Sequence, residues 1–161
     1  MAPVTQPLRD EHRHLVPHVD ALGAAGDAVG RTDAAQLRAL VDASYEFLTE
    51  HLIPHAAAED RALYPVVQRV MGAPEATATM SRDHVEVGRL TERLGVLRER
   101  LAASARIDDD TADELRSLLY GLQALVRVHF AKEEEVYLPL LDERLTEAQA
   151  AALFADMHAT A

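Results

Sequence analysis

The stretch HLIPHAAAEDRALYP, residues 51–65, decides how the rest of the chain is read. His51, His55 and Glu59 follow one another at four-residue steps. On an α-helix each such step advances about 6 Å and misses a full set of turns by only about 40°, so the three fall on one face. Pro54 interrupts them, removing a backbone donor and crowding a carbonyl of the preceding turn. A helix face lined with groups that are costly to bury needs a chemical reason. Pro54 is expected to bend the helix just before His55 and to aim that imidazole inward.

The layout returns further along. HAAAEDRALYPVV (55–67) and HFAKEEEVYLPLL (129–141) each run from a His to a Glu four residues on and a Pro ten residues on. RDEHRHL (9–15) places His12 ahead of the first, and SRDHVEV (81–87) places His84 ahead of the second, at nearly equal intervals. One His-x-x-x-Glu pair is a weak signal in a chain with 8 His and many Glu; its repetition is a strong one. The chain reads as a two-fold repeat of a helix pair.

Around these motifs, apolar residues recur at three- and four-residue steps through four long segments, the period of amphipathic helices. The first is expected from Gln6 to Val29, ending in GRTD. The second opens at a capping box of Asp33 with Gln36 and runs to Tyr64, with a kink at Pro65 and a last turn before MGAP (71–74). The third covers Glu75 to Ser104. The fourth opens at a capping box of Thr111 with Glu114 and reaches Leu138, where Pro139 interrupts it. Thr146 with Gln149 caps a short last helix whose Leu153, Phe154 and Met157 cover one end.

A composition of 48% hydrophobic but only 4% aromatic residues favours helix packed on helix. With 161 residues and no Gly-, Ser- or Pro-rich divider, one domain over 1–161 is expected. The expected class is all-α: an antiparallel up-down-up-down four-helix bundle with a short C-terminal helix. A net charge of −11 argues against nucleic acid and anionic membrane surfaces as partners. The absence of cysteine removes disulfide and thiolate chemistry, and no apolar run approaches the roughly 20 residues of a membrane span. A cytoplasmic location is expected.

Counted from the turns, His84, His129 and Glu133 are level on antiparallel neighbours, and His12 is level with His55 and Glu59. His18, in LVPH, is the alternative to His12 because LVPH resembles LIPH; His14 points elsewhere. Four inward His and two inward Glu suit a pair of first-row transition ions, since imidazole binds Fe, Zn or Cu and carboxylates bridge and neutralise. Zinc and manganese stay open as alternatives to iron.

The residues DEHRHL, HAAAE, RDH and HFAKEEEVYLPLL together resemble the hemerythrin and hemerythrin-like (HHE cation-binding) family, over residues 8 to 141. The resemblance implies a non-haem di-iron centre of two Fe ions, oxo- or hydroxo-bridged, inside a helix bundle. Its implied metal residues are His12, His55, Glu59, His84, His129 and Glu133, with an exchangeable position for O2, NO or peroxide. Two departures matter. Oxygen-carrying members place another His where this chain has Gly88, and they end on an Asp five residues after its His where this chain has Glu133 at four. Both weigh against simple reversible O2 carriage and toward peroxidase- or catalase-like turnover or NO oxidation.

His51, one turn before His55, and Tyr137, one turn after Glu133, are candidates to hydrogen-bond beside the site. In KEEE (132–135) Glu133 points inward, while Lys132, Glu134 and Glu135 read as a solvated face. A reading of another class is a sensing or binding module whose partner contact responds to iron or O2.

Overall fold

The computed structural model describes residues 2–104 and 106–159, and among them every regular element is a helix. In chain order these are α1 (Gln6–Ala28), α2 (34–71), α3 (Ala78–Ala103), α4 (109–144) and α5 (Glu147–His158). α1 packs against α2 and α4, α3 packs against the same two, and α5 lies on α2.

The helix ends follow local side-chain chemistry. Asp33 accepts from Gln36 N at 2.8 Å, but Gln36 bonds Thr32 instead of returning to Asp33, so only half of the expected box forms. The box expected at Thr111 is corrected. Asp108 is the cap, accepting from Thr111 N at 2.7 Å, and Glu114 turns away to Arg93. A short carboxylate suits the positive end of the helix dipole better than a hydroxyl does. At α5 both halves of the Thr146–Gln149 box are present. α2 ends on Gly72 in the left-handed region (φ 66°), with Ala73 N donating back to Gln68 O, the paired arrangement that closes a helix. α3 starts at Ala78, later than expected, because a turn over 73–77 precedes it.

Three stretches inside the long helices are wide π turns: Leu48–Leu52 and Glu59–Leu63 in α2, and Glu133–Tyr137 in α4. Each closes with an N–H reaching five residues back, Ile53 to Leu48, Tyr64 to Glu59 and Leu138 to Glu133. Each donor is the residue before a proline: Pro54, Pro65 or Pro139. A proline ring collides with the carbonyl four residues back, and an extra residue in the turn ahead relieves that collision, so the helix runs on. Pro139 therefore does not end α4, which continues to Arg144. Pro54 likewise acts through a wide turn within a continuous α2.

Apolar residues form two buried clusters. One joins Leu22, Leu37, Leu94, Leu97, Leu119 and Leu122. The other joins Leu8, Leu63, Val67, Met80, Leu138 and Leu141 with Leu153, Phe154 and Met157 of α5. Along the chain the six polar positions of interest fall near the boundary of the two clusters: His12 between Leu8 and Val19, His55 and Glu59 between Leu52 and Leu63, His84 between Met80 and Val87, and His129 and Glu133 between Val126 and Tyr137. That layer is what the apolar cores seal from water on both sides.

Candidate metal centre

The structure brings His12, His55, Glu59, His84, His129 and Glu133 to one layer. Glu59 and Glu133 have no exposed surface, and His12, His55 and His129 are buried. His12, His55 and Glu59 form one group able to hold a metal ion; Glu59, His84 and His129 form a second. His18 lies outside the cluster, exposed and stacked on Phe47.

Each carboxylate spans the two histidine pairs. Glu59 Oε1 lies 2.9 Å from His55 Nε2 and 3.6 Å from His12 Nε2, while Oε2 lies 3.3 Å from His84 Nε2 and 3.8 Å from His129 Nε2. Glu133 does the same with Oε2 at 3.4 Å from His12 Nε2 and Oε1 at 3.5 Å from His129 Nε2. The two nitrogens of His84 and His129 approach to 3.0 Å. That is the separation of two donors at right angles, each about 2.1 Å from one ion.

The outer nitrogens are all engaged by carboxylates. Nδ1 of His12 meets Glu134 at 2.8 Å, that of His55 meets Glu11 at 3.0 Å, that of His84 meets Asp60 at 2.8 Å, and that of His129 meets Asp83 at 3.1 Å. With Nδ1–H donating outward, each imidazole presents a lone pair at Nε2 to the centre. Among the described residues, His12 Nε2, His55 Nε2, both Glu59 oxygens and Glu133 Oε2 are buried without a hydrogen-bond partner. Their close approaches are not directed as hydrogen bonds. Buried lone pairs aimed at one another are costly unless a cation lies between them, and this donor set fits first-row transition ions.

The field inside the layer is strong. Burial opposes a charged His55, yet the Glu59 and Glu11 carboxylates override it and hold the imidazole up to about 10. His129 is likewise disfavoured by burial and raised to about 10 by Glu133 and Glu59. His12 and His84 are raised against the same burial by Glu59 and neighbouring carboxylates. Burial pushes Glu59 up, but the surrounding imidazoles, His55 foremost, hold it well below the usual carboxylate range. Protons therefore do in the metal-free layer what a cation would do better.

Tyr64 was not anticipated. Its hydroxyl donates to Glu133 Oε1 at 2.8 Å and lies 3.3 Å from Nε2 of both His84 and His129. Tyr64 stands five residues after Glu59, off the helix face by α-helical counting; the wide turn Glu59–Leu63 brings it back. Its phenol is raised far above the ordinary range by burial and by the Glu59 and Glu133 charges, so it acts as a donor.

The same wide turns correct two expectations. Tyr137, inside Glu133–Tyr137, donates to Ala76 O at 2.9 Å and not to a carboxylate. His51, inside Leu48–Leu52, is exposed, because four-residue steps no longer keep one face through a π turn. The solvated reading of KEEE is also corrected for two residues: Glu134 holds His12 and Arg9, and Lys132 pairs with Asp83. The four outer carboxylates had a visible signal, since each sits next to an inward residue in the chain: Glu11–His12, Glu59–Asp60, Asp83–His84 and Glu133–Glu134.

Beside the layer lies a small apolar cavity lined by Leu52, Ala56, Val87, Val126 and Phe130 together with His55, Glu59, His84 and His129. Its volume is about 10 Å³ for the centre of a water-sized body, room for one small molecule. Among the described residues nothing lies within 4 Å of where a Cβ on Gly88 would stand, so that position opens onto free space.

An all-helical chain with two His/Glu groups that share a carboxylate has the donor sets of a metal-binding helical protein. The chain belongs to the hemerythrin family: the model of the hemerythrin HHE cation-binding domain matches residues 4–141. Neither a curated protein nor a solved structure matches it. No described helix is long and apolar enough to cross a membrane.

Proposed function

We propose that this single domain is an antiparallel up-down-up-down four-helix bundle holding two iron ions. His12 and His55 would hold one and His84 and His129 the other, with Glu59 and Glu133 shared between them. The bundle arrangement is supported by the cyclic packing of α1, α2, α3 and α4 and by the short connections over 29–33 and 72–77. The observation that carries the two-ion reading is the splitting of each buried carboxylate, one oxygen toward each histidine pair.

Two iron ions, when bound, supply a redox couple for small oxygen and nitrogen species: O2, NO or peroxide. The chain does the rest. Glu59 and Glu133 neutralise charge at the centre of the layer, and the outer carboxylates fix the imidazole tautomers. The apolar cavity offers room for a body about the size of one water, which selects for the smallest ligands. Tyr64 keeps its proton at Oη and offers it as a hydrogen bond to Glu133 Oε1 at 2.8 Å, which fixes that carboxylate within the layer. These features support turnover over simple carriage, as does the glycine at 88. A cytoplasmic setting is part of the same reading.

Metal analysis joined to an optical spectrum is the test. Iron near two per chain with oxygen-to-iron charge-transfer absorption supports the proposal, and a colourless protein without iron after iron-replete expression overturns it. Peroxide consumption no faster than that of free iron, with and without NO, would remove the enzymatic part.

A further inference from the structure

The four outer carboxylates are not independent. Glu11 of α1 engages His55 of α2, Asp60 of α2 engages His84 of α3, Asp83 of α3 engages His129 of α4, and Glu134 of α4 engages His12 of α1. The circuit closes after four steps, always in the same rotational sense. Its geometry follows from helix pitch: neighbouring residues diverge by about 100°, so one of each adjacent pair looks into the layer while the other reaches round to the next helix.

The ring obeys the repeat. Glu11 with His55 corresponds to Asp83 with His129, and Asp60 with His84 corresponds to Glu134 with His12. Two positions break the correspondence. Arg9 binds Glu134, where Ser81 binds Asp60; Lys132 binds Asp83, where the matching position beside Glu11 is Ala58. So, among the described residues, His12 and His129 face carboxylates that also bind a cation, and His55 and His84 face ones held by an uncharged donor or by the imidazole alone. Each pair contains one histidine of each kind.

We propose that Glu11, Asp60, Asp83 and Glu134 are positioning residues forming one closed ring, which orients all four Nε2 atoms inward and builds both metal pairs before an ion arrives. The inference rests on the two-ion reading above. It assigns each carboxylate to one pair: Glu11 and Glu134 to His12/His55, and Asp60 and Asp83 to His84/His129. Because Glu11 and Asp60 share no cation, they lend their imidazoles the most electron density.

The test uses the full chain loaded with iron. Glu11→Ala and Asp60→Ala should each lower the affinity of one of the two ions roughly 10- to 100-fold in chelator competition and shift the charge-transfer band, leaving the other ion in place. Glu11→Gln and Asp60→Asn keep an acceptor and should lose less. Asp42→Asn, which disturbs only the Arg98 pair on the surface, serves as control and should change neither readout. Helical circular dichroism confirms that each variant is folded. If the wild type binds two ions and the alanine variants match it in affinity and spectrum, or if both ions weaken equally in each variant, the ring is overturned and the two-ion reading stands. A wild type that binds no iron overturns both.

Discussion

The two halves of this protein carry the same three-residue plan and differ at a few positions that face the centre. In both, a histidine on the first helix of the pair meets a His-x-x-x-Glu set on the second, and a π turn begins at the glutamate. Five residues past the glutamate the halves part: Tyr64 in the first half corresponds to Leu138 in the second. The Tyr64 hydroxyl crosses over to Glu133, His84 and His129. The first half also has a second π turn, Leu48–Leu52, with no counterpart in α4. A repeated scaffold supplies equivalent donors to both pairs, and a single side chain then makes the pairs chemically unequal.

The largest test of this comparison is to remove the shared carboxylates in turn. Glu59→Ala should abolish loading of both ions, because Glu59 belongs to both metal-capable groups. Glu133→Ala should leave more iron, since only Glu59 stands in both groups; equal iron content in the two variants would show that the halves are interchangeable. Next in size, His55→Ala and His129→Ala should each remove one ion, lowering its affinity roughly 100-fold or more, beyond the loss expected for an outer-carboxylate change. Metal analysis of each variant reads this directly.

Tyr64→Phe tests the asymmetry itself. It strips Glu133 Oε1 of its donor and should destabilise the metal-free protein by about 1–3 kcal/mol in denaturant unfolding. Leu138→Tyr, at the matching position, would show whether the difference can be erased.

The metal-free protein should also respond to pH in a definite sense. His55 and His129 have folded values near 10, above the ordinary 6.5. Their contribution to stability is complete below about pH 6.5 and is lost as pH rises toward 10. Glu59, held low, contributes above about pH 4.5 and is lost as pH falls through its depressed value. Thermal unfolding of iron-free protein should therefore be best between about pH 4.5 and 6.5 and weaken toward pH 10. Iron affinity should move the opposite way, rising with pH as bound protons leave. The smallest expected effect is Gly88→His. It places an imidazole into open space beside His84, with a gain of only about 0.3 kcal/mol from replacing a mid-helix glycine by a weak helix former, and tighter binding only at the His84/His129 pair.

The chain alone determined that these segments are helices, where most of them begin and end, and which six polar groups share one layer. Period and repetition are local properties, and helical spacing converts them directly into a face. The tertiary structure decided what spacing could not express. Tyr64 enters the centre and His51 leaves it because π turns ahead of prolines change the phase of α2, a shift that α-helical counting does not contain. Glu134, read from the sequence as solvated, turned out to hold His12 across 122 positions of chain, and Asp83, Asp60 and Glu11 hold their partners likewise. Which carboxylate meets which imidazole depends on the rotation of one helix against its neighbour, and packing fixes that rotation only when all four helices are in place.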